Sequence, residues 1–349
     1  MNELSLSDSV KSEIGNFLQT INFNCSTAEY NLTLKNGLLG VIDMLSDYYE
    51  EGTHLFPTVI LFDDMEYLKT VPNLHYVFYH GEIKENQFRQ AIKMCAPLAL
   101  DGWCIFLQVG QSDMSWGVVT AEIKETSLSL EEQVLRDEEP AYKVSLISNI
   151  GLKTVAMVSS GRKVNCIVYL SLLGQQINAV PSLDKFFRCV LSNCQGINDE
   201  FVGYYQKVVN TALHTGHGNL FAVIGEGDPI PDILKEGVNI SNTPVDFATT
   251  YSELQENMNG NDQVRINSKL KMMSSLAVSM MNHDGITVFT TTGKIVGYHF
   301  IVDNTVTANE LIVGGARTKA FMALVHSGNF RCVMMKKQEG EIKCDSRDE

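Results

Sequence analysis

Two short stretches carry residue types suited to holding a phosphorylated ligand. Asn282-His283-Asp284-Gly285-Ile286 sets an imidazole and a carboxylate side by side at the start of an apolar run. Further along, Gly314-Gly315-Ala316-Arg317-Thr318-Lys319-Ala320 sets a guanidinium and an ammonium behind a glycine pair. Carboxylate oxygen and imidazole nitrogen are ligands for a divalent cation. Arginine grips phosphate through a planar fork, and lysine supplies a point charge. The glycine pair runs into Phe321-Met322-Ala323-Leu324-Val325, which reads as a loop feeding a helix start. Unpaired backbone N–H groups and the helix dipole favour an anion there. Asp-Gly alone is ordinary turn chemistry. In combination with the Arg-x-Lys helix start, the two stretches suggest a metal ligand set beside a phosphate cradle.

The elements that must position these groups are a hairpin and a helix. Ile286 to Phe289 and Ile295 to Val302 are β-branched and aromatic runs joined by Thr291-Thr292-Gly293-Lys294, a hairpin pattern. A polar loop then leads to the Arg317 helix. Helices are also predicted over Asp262–Met281 and Pro244–Met258, and over Asp199–Leu213 and Ser182–Leu191. Asn219 to Ile224 reads as a buried strand, and Phe330 to Met335 as the last strand, with Lys343 to Glu349 a fraying tail. In the first half, Val10, Ile14, Leu18 and Ile21 mark one helix, and a second runs from Thr27 through Tyr49 to Gly52. Thr58–Phe62 and Tyr76–Tyr79 read as buried strands, Glu85–Leu98 as a helix, and Trp103 to Leu170 as a β-rich block. The expected class is α/β: an N-terminal α+β domain over 1–175, and over 176–349 a mixed sheet flanked by helices.

Bulk properties narrow the function. The chain has 349 residues, enough for two domains. A formal charge of -14 argues against broad binding to DNA, RNA or anionic membranes, which needs a dominant basic field. No apolar run approaches the ~20 residues that span a bilayer, and Met1 to Ser5 carries no signal peptide pattern, so a cytoplasmic protein is expected. The eight cysteines are expected as reduced, mostly buried thiols, and Cys189 and Cys194 lack the second pair a zinc site needs. His214-x-x-His217 reads as a polar loop, His326 as a surface residue at a helix end, and Glu131-Glu132 as part of a solvated acidic face. Met272, Met273, Met280, Met281, Met334 and Met335 read as core filler.

The C-terminal half resembles the diadenylate cyclase domain family. That pattern runs, in order, through a Gly-Ala-Leu-Ile-Val strand, a Leu-His-Asp-Gly-Ala strand start and a Gly-Thr-Arg-His-Arg-Ala-Ala helix start. Ser-Glu and a terminal strand pair follow. Gly218 to Val223 looks like the first element, Asn282 to Ile286 the second, and Gly315 to Phe321 the third, in the same order from Thr215 to Lys343. The family condenses two ATP molecules, held on facing subunits, into cyclic di-AMP. The resemblance implies His283 and Asp284 as ligands of Mg or Mn. It also implies Asp284, Arg317 and Lys319 as the catalytic set, and Gly285, Ile286, Gly315, Arg317, Thr318 and Lys319 as nucleotide contacts.

The departures are specific. Thr318 stands for the family's histidine, Lys319 for its second arginine and Ala316 for its threonine, while Val325-His326 falls where Ser-Glu is expected. Losing a carboxylate, a hydroxyl and a fork removes several kcal/mol of transition-state stabilisation if each is worth ~2–4 kcal/mol. The favoured expectation is a nucleotide-binding module for ATP or a cyclic dinucleotide, with the N-terminal domain reading out its state. The alternatives are an active cyclase working as a face-to-face homodimer, with Lys319 and His326 replacing the missing groups, and a structural protein with a vestigial pocket.

Overall fold

The computed structural model describes residues 6–122, 124–170, 183–216, 218–256, 260–303, 315–338 and 340–347. The chain is α/β, with helices flanking several sheets. It divides into two units, residues 1–123 with 127–180, and residues 124–126 with 181–349.

The first unit opens with α1 (Leu6–Thr20) and α2 (Ala28–Leu45), followed by a small hairpin, β1 (Tyr49–Glu50) and β2 (Thr53–His54). Then come β3 (Val59–Phe62), β4 (Leu74–Glu82), α3 (Glu85–Cys95), β5 (Cys104–Val109), β6 (Asp113–Thr120) and α4 (Leu130–Arg136). Three strands finish it, β7 (Val144–Gly151), β8 (Thr154–Ser159) and β9 (Asn165–Tyr169). The sheet order is β4-β6-β5-β3-β7-β8-β9, antiparallel except between β3 and β5. One hydrophobic cluster gathers Leu34, Leu38, Phe88 and Ile92 of α2 and α3 onto the sheet, and a second gathers Tyr67, Leu68, Leu130 and Val134.

Helix α2 starts where Thr27 accepts a hydrogen bond from the Tyr30 N–H at 3.1 Å. Thr27→Ala is expected to destabilise this unit by about 1 kcal/mol, the worth of an N-cap, read as a lowered urea midpoint. The helix stops at Leu45, short of the expected Tyr49, because the chain must reverse into the β1–β2 hairpin through Glu51 (φ 48°) and Gly52 (φ 84°). Strand β4 also departs from expectation. It is an edge strand, with Leu74, Tyr76, Val77 and Phe78 each 44–53% exposed, so apolar character there does not mean burial. The acidic run is not simply a solvated face. Glu131 and Glu132 form the first turn of α4, favoured by the helix dipole and capped by Ser129, and Glu132 is buried.

The second unit contains α5 (Asp184–Val190), α6 (Asp199–Thr215), β10 (Asn219–Ile224), β11 (Leu234–Lys235), β12 (Val238–Asn239), α7 (Phe247–Glu256) and α8 (Gly260–Asn282). It continues with β13 (Ile286–Thr290), β14 (Ile295–Val302), α9 (Ala316–Ser327), β15 (Cys332–Lys336) and β16 (Ile342–Ser346). The sheet order is β11-β14-β13-β10-β15-β16, with β12 also beside β14, and β10 runs parallel to β13. Alternation along β10 separates two cores. Phe221 and Val223 face Phe186, Phe201, Tyr204 and Leu270 of α5, α6 and α8, whereas Leu220, Ala222 and Ile224 face Phe321 and Leu324 of α9. Burial on both faces explains the apolar run Leu220 to Ile224 of β10, and β13 is likewise buried along its length.

The expected fraying tail is instead strand β16, held in register against β15 from Ile342 to Ser346. Of the methionines read as filler, Met334 and Met335 are fully buried, but Met272 is 66% exposed. Among the described residues no helix is long and apolar enough to cross a membrane.

Candidate functional site

The parallel pairing of β10 and β13 sets Leu220 opposite Ile286, so the loops entering both strands open at the same end of the sheet. Asparagines fasten these loops together. The Asn219 amide donates to the Met281 carbonyl at 2.9 Å and to Asn282 Oδ1 at 3.0 Å, and the Asn282 amide donates to Thr215 Oγ1 at 2.8 Å. Gly218 (φ 119°) brings the third piece. A Cβ there would lie 2.5 Å from Arg317 Nη1 and 2.9 Å from the Lys336 carbonyl oxygen, so the guanidinium lies directly over the glycine backbone. Arg317, from the helix on one face, and Asp284, from the loop leaving α8 on the other, thus lie at the same end of the sheet.

Asn282, His283 and Asp284 are exposed. Asp284 Oδ1 accepts from the Gly285 N–H at 3.1 Å. Gly285 (φ 106°) passes so close to β14 that a Cβ would sit 2.8 Å from the Phe300 carbonyl oxygen. The neighbour on β14 is His299, a non-glycine residue at φ 62°. It sits in a bulge, where residues 297 to 300 of β14 span what residues 286 to 288 span on β13. Left-handed backbone at such a residue costs about 1 kcal/mol or more and collects at functional sites. His299 Nδ1 lies 2.5 Å from the Asp284 carbonyl oxygen, and His283 Nδ1 lies 3.3 Å from the same oxygen. The two rings are 4.3 Å apart. A carbonyl oxygen only accepts, so each neutral ring that donates through Nδ1 keeps its lone pair on Nε2. Two imidazoles therefore converge on the Asp284 backbone and leave its carboxylate outward.

Helix α9 begins at Gly315, which provides no side-chain cap and has open space where a side chain would stand. Lys319 N–H closes the first turn onto the Gly315 carbonyl at 3.0 Å, so the N–H groups of Ala316, Arg317 and Thr318 have no intrahelical acceptor. Thr318 is half-buried and Lys319 exposed. Among the described residues neither Arg317 nor Lys319 is in an ion pair, which leaves both charges for an anion.

Behind Gly218 lies a buried cation. Lys336 ends β15, is 6% exposed and donates to the Leu213 carbonyl in the last turn of α6. Burial pulls its ammonium down to about 8. Burial, with the nearby Lys336 charge, also pulls His214 down to about 4. His214 belongs to the last turn of α6 rather than to a polar loop, and His217 lies outside the described residues.

Several expectations change. Ile286 is 2% exposed and belongs to the core with Val288 and Phe300, so only its backbone can meet a ligand. His326 sits in the last turn of α9, about 13 Å along the helix axis from Arg317. Gly314 lies outside the described residues. Among the described residues no three His, Cys, Asp or Glu side chains gather as a metal site. One outward carboxylate with imidazole neighbours fits a hard cation that brings its own phosphate ligands and waters, as Mg²⁺ or Mn²⁺ on a nucleotide does.

Set against known families, curated proteins and solved structures, the chain matches none. Sequence reasoning missed His299 and Lys336, and named Gly218 only as the start of a strand element. The signals were a glycine followed by Tyr298-His299 inside an alternating strand, and a lysine closing an otherwise apolar run.

Proposed function

We propose that the second unit binds a purine nucleotide, ATP or a cyclic dinucleotide, at the end of the sheet formed by Asp284, Arg317 and Lys319. The observation that carries this reading is the seating of the Arg317 guanidinium over Gly218, whose loop is hydrogen-bonded to the loop bearing Asp284. Phosphate would sit against Arg317, Lys319 and the uncapped N–H groups after Gly315, where charge-assisted hydrogen bonds and the helix dipole act together. Mg²⁺ or Mn²⁺ would reach the site with the phosphates and be held by Asp284, with His283 beside it. Bound there, the cation would neutralise phosphate charge.

Binding is favoured over cyclisation because Ala316, Thr318, Lys319 and Val325-His326 leave few groups to stabilise a transition state. Calorimetry with ATP and Mn²⁺, and separately with cyclic di-AMP, tests the proposal. Heat is expected with at least one ligand. Asp284→Asn is expected to weaken metal-dependent ATP binding roughly tenfold, the effect of one lost charge-assisted contact of about 1.5 kcal/mol. Silence with both ligands ends the reading. Chromatographic detection of cyclic di-AMP after incubation with ATP and Mn²⁺ replaces it with the cyclase.

A further inference from the structure

At the opposite end of β15 from Lys336, three thiols meet. Cys332 opens β15, Cys344 lies on the edge strand β16, and Cys189 reaches them from α5. Pairing sets Cys332 opposite Ser346 and Met334 opposite Cys344, so the two cysteines are diagonal neighbours. Their sulfurs lie 3.3 Å apart, within about 1.3 Å of disulfide bonding distance. All three are free. Accessibility differs: Cys189 and Cys332 are buried at 4% and 1% exposure, whereas Cys344 is partly exposed. We infer that Cys344 is a peroxide-reactive thiol and Cys332 its resolving partner, so that oxidation fastens the β15–β16 hairpin with a disulfide.

The chemistry follows from the order of the sulfurs. The hydrogen bond from Cys332 lowers Cys344, and the Lys185 charge on α5 acts in the same direction. Contacts with Cys189 and Cys344, together with burial, raise Cys332 and keep it a thiol. The thiolate is the nucleophile toward peroxide. In the first step the Cys344 sulfur attacks hydrogen peroxide; an S–O bond forms, the O–O bond breaks, and hydroxide leaves and is protonated to water. In the second the Cys332 sulfur attacks the sulfenic sulfur; the S–S bond forms, the S–O bond breaks, and a second water leaves with the Cys332 proton. Two thiols and one peroxide give one disulfide and two waters. β16 is bound on one side only, so it can take up the remaining movement.

Cys194 is the internal control. It is also half-exposed, but burial raises its thiol, and it sits apart from the cluster near Asp246 and Lys294. The test uses the full chain, reduced and then exposed to hydrogen peroxide, with peptides mapped without reductant. The expected product is one Cys332–Cys344 linked peptide, absent in Cys344→Ser and retained in Cys189→Ser. Before oxidation, iodoacetamide is expected to label Cys344 about tenfold faster than Cys194. Labelling of Cys194 first, a Cys189–Cys332 link, or peroxide treatment that leaves 332 and 344 unlinked in the wild-type chain would overturn the inference. Because mapping of the wild-type chain already decides it, a poorly folded variant does not protect the proposal.

Discussion

Arg317→Ala is expected to weaken the proposed nucleotide binding by roughly 30- to 1,000-fold while leaving the fold intact, the largest functional effect expected of any single substitution here. The guanidinium lies on the surface over Gly218 and has no ion-pair partner among the described residues, so its removal breaks no structural pair. A bidentate contact to phosphate is worth about 2–4 kcal/mol, or roughly 30- to 1,000-fold in Kd. Arg317→Lys keeps the charge but not the fork, and should recover only part of that loss. Calorimetry against ATP with Mn²⁺ measures both variants, and thermal unfolding checks that neither is destabilised. An unchanged Kd in Arg317→Ala would falsify the proposed site outright.

Lys336 is expected to make stability rise with pH on the alkaline side. Its ordinary value of 10.5 falls to about 8 because the side chain is buried. Below pH 8 the lysine carries its proton whether the chain is folded or not, and the fold bears the cost of enclosing that charge. Between about pH 8 and 10.5 the folded chain has released the proton while the unfolded chain keeps it. The unfolded state then binds more protons, so stability rises with pH across that window. A fall from 10.5 to about 8 amounts to about 3 kcal/mol at most. The Leu213 carbonyl, at the negative end of α6, accepts from the ammonium and offsets part of this. A rise of about 2 kcal/mol is expected. Lys336→Met keeps the length and apolar stem but drops the charge. It should raise stability at neutral pH and flatten the alkaline rise. Urea unfolding of both proteins at about pH 7 and about pH 10 isolates Lys336 from other alkaline groups. A rise of equal size in the variant shows that Lys336 is not its source.

What could be read in the residues, and what could not, divides along physical lines. The β13–β14 hairpin was legible because two β-branched runs flank Gly293, and the start of α9 because Gly315 precedes an apolar run. The His299 bulge was not, because a one-residue excess on one strand is a property of pairing and leaves little trace in local periodicity. The apolar side chains of β4 read as core because composition does not reveal which strand lies at the edge. For the opposite reason, Lys343-Cys344-Asp345-Ser346 read as part of a tail. Lys343 and Asp345 are the solvent-facing half of an edge strand, which looks polar whenever its partner is unknown. Within the site, residue types marked Asp284 and Arg317. Their convergence depends on Gly218, which tertiary packing alone brings beneath the guanidinium.

The position of β10 has a consequence for how the protein is made. β10 lies between β13 and β15, both of which come much later in the chain. During synthesis its edges therefore stay bare until nearly the whole unit has left the ribosome, and the strand on which Gly218 is mounted has no fixed place before then. The unit can close only after β15 has emerged, and a chain cut short before Cys332 should leave its apolar strands unsheltered.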